Sequence, residues 1–236
     1  MAKASQNPWA SIWFSPRATI TGIAATNPNR SLWILAAVYG FTSILNLFQS
    51  IAIGTQLSPL SILIIAAVFS PIWGYIAFAI WSGFVAWIGK WFKGKGTFST
   101  IRAAYAWSCV PFVFHIPLWI WMAIQFGPQL FANFPDQHLL TQSQVSLLFV
   151  IMIVKLVLAV WSLVIYVNAL AEVQDFSILK AILNLVVAGV IVTILLVILW
   201  FFIFYFTGAV TAHSMTTFHL WKDGLTMLPL KELMSH

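Results

Sequence analysis

The sequence predicts an all-α polytopic membrane protein, a helical bundle with five transmembrane helices and an N-terminal interfacial amphipathic segment. Three observations predict it. Hydrophobic residues make up 61% of the 236 residues and charged residues only 7%, against about a quarter charged in soluble domains. Mean hydropathy is +0.96. Five apolar runs each reach the roughly 20 residues that cross a bilayer core. A chain this apolar cannot cover a water-facing surface, which excludes a soluble enzyme or soluble binding domain. Its apolar content is also far too high for disorder. In lipid only helices or closed barrels satisfy the backbone, and the roughly ten-residue dyad alternation of a barrel strand is not present.

Residues 1–30 read as a cytoplasmic, interfacial segment. No apolar core follows Lys3, so no cleavable leader is expected. Asn7-Pro8 and Ser15-Pro16 are cap-then-proline helix starts, and Asn27-Pro28 ends the segment. Trp9, Ile12 and Trp13 form one apolar stripe, and Ile20, Ile23 and Ala24 form another. Trp9, Trp13 and Arg17 are the expected anchors at headgroup depth.

Residues 31–207 read as the membrane domain, with spans at about 32–54, 60–88, 105–126, 144–167 and 181–207. Thr55 to Pro59 make the turn after span one. Span two carries Pro71 and a small-residue set, Ala67, Ser70 and Gly74, suited to close helix contact. Span three holds His115 between Pro111 and Pro117. Each proline removes a backbone donor. The pair predicts either a kink against neighbouring helices or a discontinuous helix lining a site.

Span four contains Lys155, with no other charge from Val145 to Tyr166. A lysine at the bilayer centre costs roughly 2.5–3.5 kcal/mol on insertion scales, so it should face the bundle, a wet cavity or an anionic partner. At about 100° per residue, Gln144, Ser162 and Tyr166 fall on its face as one polar stripe. Two readings stand for Lys155: held internally by carbonyls and a tyrosine hydroxyl or deprotonated by burial, or meeting an ion, ligand or lipid headgroup. In the loop after span four, Asp175 and Ser177 are candidate caps for span five. A tie between Arg102 and the Glu172–Gln174 end is expected across the loops. Residues 208–236 read as an extracytoplasmic tail.

Basic residues set orientation. Lys3, Arg17 and Arg30 precede span one. Lys90, Lys93, Lys95 and Arg102 follow span two, and Lys180 follows span four. The intervening loops at 55–59 and 127–143 contain no Lys or Arg. The N-terminus is therefore expected inside and the C-terminus outside. The formal +6 and the pI near 9.7 then describe a sided protein, with anionic headgroups as expected partners and no nucleic acid.

Chemistry has few candidates. Cys109 is the single cysteine, the five histidines are scattered, and no carboxylate pair lies in a span. No phosphate loop, HExxH or GxSxG motif occurs. No metal, no cofactor and no catalytic residue is expected.

Three blocks of sequence carry a resemblance. The first is Asn7-Pro8-Trp9 with Ile12-Trp13, Ser15-Pro16-Arg17, Thr19-Ile20 and Asn27-Pro28. The second is Gly94-x-Gly96-Thr-Phe98 leading to Ala104-Tyr105-Ala106 and Pro111. The third runs from Trp161 through Ala169-Leu-Ala-Glu172-Val-Gln174 to Phe176-Ser177 and Lys180-Ala181. In this order and with five spans the chain resembles the Yip (Ypt/Rab-interacting protein) family of membrane proteins. The resemblance implies a helical bundle with short cytoplasmic loops and supplies no catalytic residues. Eukaryotic members act in vesicle trafficking and bind Rab-type GTPases through a longer N-terminal region. With about 30 residues before span one, this chain looks like the short prokaryotic branch, which implies a bacterial inner membrane.

Two functions are expected from this reading. One is a non-enzymatic protein that organises membrane or lipids by helix packing, self-association into a homo-oligomer and interfacial insertion of its N-terminus. The other is a transporter or channel for a small solute or lipid. It would use a polar cavity at Lys155, Ser162, Tyr166, Gln144 and His115.

Overall fold

In the computed structural model, residues 7–132 and 141–226 are described, those from 207 to 226 by backbone alone. Lys3, Asp136, His138, Lys231, Glu232 and His236 lie outside the described residues, as do the side chains of His213, His219, Lys222 and Asp223. The described chain is helical, with no strand. Its helices are α1 (Pro8–Ser11), α2 (Pro16–Thr26), α3 (Leu32–Ser50), α4 (Pro59–Trp91), α5 (Phe98–Ser108), α6 (His115–Phe126), α7 (Gln142–Gln174) and α8 (Ile178–Thr226). Five segments are long and apolar enough to cross a membrane: Leu32–Ser50, Pro59–Trp91, Phe98–Phe131, Gln142–Gln174 and Ile178–Phe206.

Several helix starts follow from local chemistry. Asn7 Oδ1 accepts the Trp9 N–H at 3.1 Å, and Ser58 Oγ accepts that of Ser61 at 3.2 Å. Thr141 and Gln144 form a reciprocal capping box at the head of α7. The third span is a broken helix. A 3₁₀ turn at Val110–Phe114 contains Pro111 and joins α5 to α6. Pro117 falls in the first turn of α6, where a missing donor costs nothing. The final helix continues to Thr226, so the tail expected from residue 208 is helical over its described part.

The chain divides into two units, Met1–Ala188 and Gly189–His236. In the first, α3 and α4 form a hairpin whose backbones nearly touch. Gly40 lies against the Ser70 carbonyl, and Gly74 lies against the Ala36 carbonyl. Any side chain there would occupy main-chain space, so Ser70 and Gly74 of the set read in span two are packing residues, whereas Ala67 is exposed. A cluster of Phe41, Leu45, Ile62, Trp119, Phe131 and Leu148 joins α3, α4, α6 and α7. The second unit is the remainder of α8. Its large apolar side chains from Ile194 to Phe206 are exposed, as a lipid-facing helix requires.

The N-terminal stripes pack on the protein. Ile12 and Ile20 are fully buried. Trp9 meets Trp107 edge-on at 5.4 Å, and Trp13 meets Phe114 at 5.8 Å. Phe14, 88% exposed, is the large apolar residue that α1 and its flank still present outward. Arg17 Nε donates to Asn168 Oδ1 at 3.3 Å, and Thr21 Oγ1 donates to Glu172 Oε1 at 3.0 Å. These bonds fasten α2 to the end of α7.

The expected Arg102–Glu172 tie is not formed. Arg102 is buried between the rings of Tyr75 and Phe98, 5.3 and 5.2 Å from its guanidinium carbon. It donates to Asn29 Oδ1 at 2.8 Å and to the Tyr75 hydroxyl at 3.1 Å. A buried guanidinium takes the acceptors and ring faces within its reach, and Glu172 is held by α2 instead. The loops are tied by Lys95 and Asp175, 2.6 Å apart. Each holds the other's charge: Asp175 is lowered below, and Lys95 raised above, its ordinary range by their hydrogen bond. Asp175 also closes α7 in the left-handed conformation rather than capping α8, whose first turn is capped by Ser177. Beside this tie, the buried Gln174 amide sits in a notch between Gly89 and Gly94, where an added Cβ on either glycine would strike it. The Gln174 carbonyl accepts the Lys95 N–H at 3.1 Å.

Candidate amphiphile-binding groove

The charge that costs most in a membrane, Lys155, lies on α7. Lys155 is half-buried, and its Nζ lies 4.0 Å from the centroid of the Trp119 ring. A cation over an indole face is held by about 2 kcal/mol or more where water is scarce. No side chain accepts a hydrogen bond from the ammonium among the described residues. The two described carboxylates are engaged elsewhere, Glu172 with Thr21 and Asp175 with Lys95. Lys155 therefore stands on an aromatic wall without an acidic partner among the described residues.

Lys155 also lines a groove of about 940 Å³. Its floor is Met122, Leu148 and Ile151, and its open lip includes Phe149, Met152 and Leu156. These lip residues are strongly exposed, so the groove opens sideways, toward the acyl chains once the helices are in a bilayer. Its other side is the end of α3, where Asn46, Gln49 and Ser50 stand at helical i, i+3 and i+4. Each spends a donor on the main chain. Asn46 Nδ2 donates to Thr42 O at 2.9 Å, Gln49 Nε2 to Leu130 O at 3.1 Å, and Ser50 Oγ to Leu47 O at 2.7 Å. What remains for an occupant is a rim of amide and hydroxyl oxygens, the second amide hydrogens of Asn46 and Gln49, and a single cation.

The other predicted residues separate from Lys155. Ser162 and Tyr166 line a second cleft of about 390 Å³ with Tyr39, Trp81, Tyr105 and Ser108. Ser162 Oγ donates to Ser108 O at 2.7 Å, and Tyr166 accepts from Trp81 Nε1 at 3.1 Å, keeping its own O–H. His115 is buried beside Lys155 and stacked on Phe112 at 4.9 Å, so it forms part of the supporting wall. Gln144 is spent on the α7 cap. Among the described residues no group of three metal-ligating side chains assembles.

Sequence reasoning missed Asn46, Gln49 and Ser50 because they read as the ordinary polar end of a span. Their i, i+3, i+4 spacing was the available signal. Trp119 gave no signal, since its partner is 36 positions away and the contact is tertiary.

A family model, the Yip1 domain, matches residues 10–201. The match covers most of the chain and spans the groove, the second cleft and the α2 clasp. No curated protein and no solved structure matches the chain.

Proposed function

The chain belongs to the Yip1 domain family, and from that premise we propose that it is a non-enzymatic membrane protein that organises lipid by holding an anionic amphiphile in the groove at Lys155. The carrying observation is the Lys155 ammonium, seated on Trp119 at the wall of a groove that opens sideways. A cation near the bilayer centre is stabilised by an anion, and a lateral opening lets a lipid supply one without leaving the membrane. The acceptor rim at Asn46, Gln49 and Ser50 suits a headgroup that carries hydroxyl donors. Phosphatidylglycerol has both features, a phosphate anion and glycerol hydroxyls.

The distribution of basic residues supports a cytoplasmic N-terminus, with the exposed Lys90 and Lys93 placed to meet anionic headgroups on that side. The solute-channel reading has less support, because Lys155 and the Ser162–Tyr166 pair line separate clefts.

The test is lipid retention. The full chain is purified from nanodiscs of phosphatidylcholine and phosphatidylglycerol and released into native mass spectrometry. Phosphatidylglycerol should stay bound in preference to phosphatidylcholine by about tenfold, equivalent to 1.4 kcal/mol. Lys155→Met should abolish the preference, and Lys155→Arg should keep it. Equal retention of both lipids by the wild-type chain would sink the proposal.

A further inference from the structure

The two clefts share one face of α7. The groove is lined by Leu148, Met152, Lys155 and Leu156, and the second cleft by Ala159, Ser162, Leu163 and Tyr166. At 100° per residue these positions form a single stripe, all on the same side of the helix. From Leu148 to Tyr166 the stripe rises about 27 Å at 1.5 Å per residue. That is close to the roughly 30 Å of a hydrocarbon core. Lys155 stands near its middle. Both clefts reach the lipid-facing surface, the first past Phe149 and Met152, the second past Leu163 and Val186, all of them strongly exposed.

Polar groups flank the cation in both directions. Asn46, Gln49 and Ser50 offer acceptors at one end, and the Tyr166 hydroxyl keeps a donor at the other. A binding pocket for a lipid resting in one leaflet has its charge at the headgroup level. Here the only charge among the lining residues is at mid-depth, where a resting lipid has only tails. A headgroup reaches that position only by leaving its own leaflet, so a lipid held at Lys155 is already part-way across.

We infer that this face of α7 is a path along which the headgroup of an anionic glycerophospholipid moves between leaflets, its acyl chains remaining in the bilayer. The inference rests on the proposed reading of Lys155 as an anion site. The mid-depth cation lowers the barrier that a phosphate meets at the bilayer centre, and the flanking groups replace part of its water. The process needs no energy source and runs in both directions until the leaflets match.

The experiment uses the full chain in phosphatidylcholine vesicles carrying a trace of phosphatidylglycerol labelled with a dithionite-sensitive fluorophore on one acyl chain. Dithionite bleaches the outer leaflet alone, so protein-free vesicles keep half of the signal. Wild-type vesicles should lose nearly all of it, and the same label on phosphatidylcholine should cross at least tenfold more slowly. Lys155→Met should lose both crossing and phosphatidylglycerol retention. Ala159→Trp fills the edge of the second cleft, outside the groove at Lys155, at an exposed position. It should slow crossing at least tenfold while retention of phosphatidylglycerol stays at the wild-type level, which also reports an intact fold. A protected half in wild-type vesicles, equal rates for the two lipids, or full-rate crossing by Ala159→Trp would each overturn the path. A wild-type chain that retains phosphatidylglycerol and protects half the signal removes the path and leaves the groove standing. One that neither retains nor moves it removes both.

Discussion

Gly40→Ala tests the closest contact in the molecule, the crossing of α3 and α4. A Cβ built at Gly40 would lie 2.8 Å from the Ser70 carbonyl carbon and 3.0 Å from the Gly74 nitrogen, and nearer still to the Ser70 oxygen. All three are main-chain atoms of a helix, so no side chain can turn aside. Ordinary carbon contacts are about 3.5–4.0 Å, and the helices would have to part by something on the order of 1 Å. Overpacking of this kind costs about 1–3 kcal/mol, and obstacles that are all main-chain atoms put this contact in the upper part of that range, about 2–3 kcal/mol. The better helix propensity of alanine returns about 1 kcal/mol, leaving a net loss of about 1–2 kcal/mol. That is a factor of roughly 5–30 in the folding equilibrium.

The assay is reversible SDS unfolding in mixed micelles, followed by tryptophan fluorescence. Gly83→Ala is the internal control. It sits in α4, the partner helix of the crossing, and nothing lies within 4 Å of its added Cβ. It should be neutral or more stable by up to about 1 kcal/mol. The reasoning is refuted if Gly40→Ala unfolds with wild-type behaviour, or if the two substitutions destabilise equally.

Two further outcomes follow from the loop side of the bundle. Arg102→Gln removes a guanidinium that holds Asn29, the Tyr75 hydroxyl and two ring faces, and should cost about 1.5–3 kcal/mol in the same SDS titration; an unchanged midpoint would show that the buried cation contributes nothing. Asp175, whose carboxyl Lys95 holds below its ordinary range, should titrate at lower pH than a free aspartate by carboxyl-carbon NMR and return toward the ordinary value in Lys95→Gln. The sign sets the pH window. The Asp175 contribution is present above the unfolded carboxyl pKa and is lost as pH falls through the depressed one. The Lys95 contribution is present below the unfolded lysine pKa and is lost as pH rises through the raised one. A midpoint for Asp175 unmoved by Lys95→Gln would show that the ion pair does not persist in solution.

The sequence carries the spans because hydropathy and length act locally, and each run declares itself without knowledge of its neighbours. Ser70 and Gly74 of span two and the cap at Asn7 are legible for the same reason. Tertiary choices are not. Arg102 and Glu172 are complementary charges in facing loops, yet each takes a nearer partner, Asn29 with Tyr75 for one and Thr21 for the other. Pattern alone cannot rank those distances. The polar stripe on α7 was visible from its spacing, but its division into two clefts depends on what α3 and α6 bring to one part and α4 and α5 to the other. The apolar stripes of residues 9–24 show the limit most plainly. A helix face suited to a membrane surface is equally suited to a protein surface, and here Trp107 and Phe114 are the surface it meets.

The Gln174 notch has a consequence for how the protein is made. Gly89 and Gly94 leave the ribosome first, and Gln174 follows 80 positions after Gly94, the interval from 94 to 174. At about 5–20 residues per second the notch stands empty for about 4–16 seconds. During that time the Lys93–Thr97 turn lacks its hydrogen-bond partner at Gln174, and the end of α4 at Gly89 lacks the side chain that packs on it. Synthesis therefore ends the wait only when the fourth span arrives. A chain truncated before Gln174 is the species that quality-control proteases should meet.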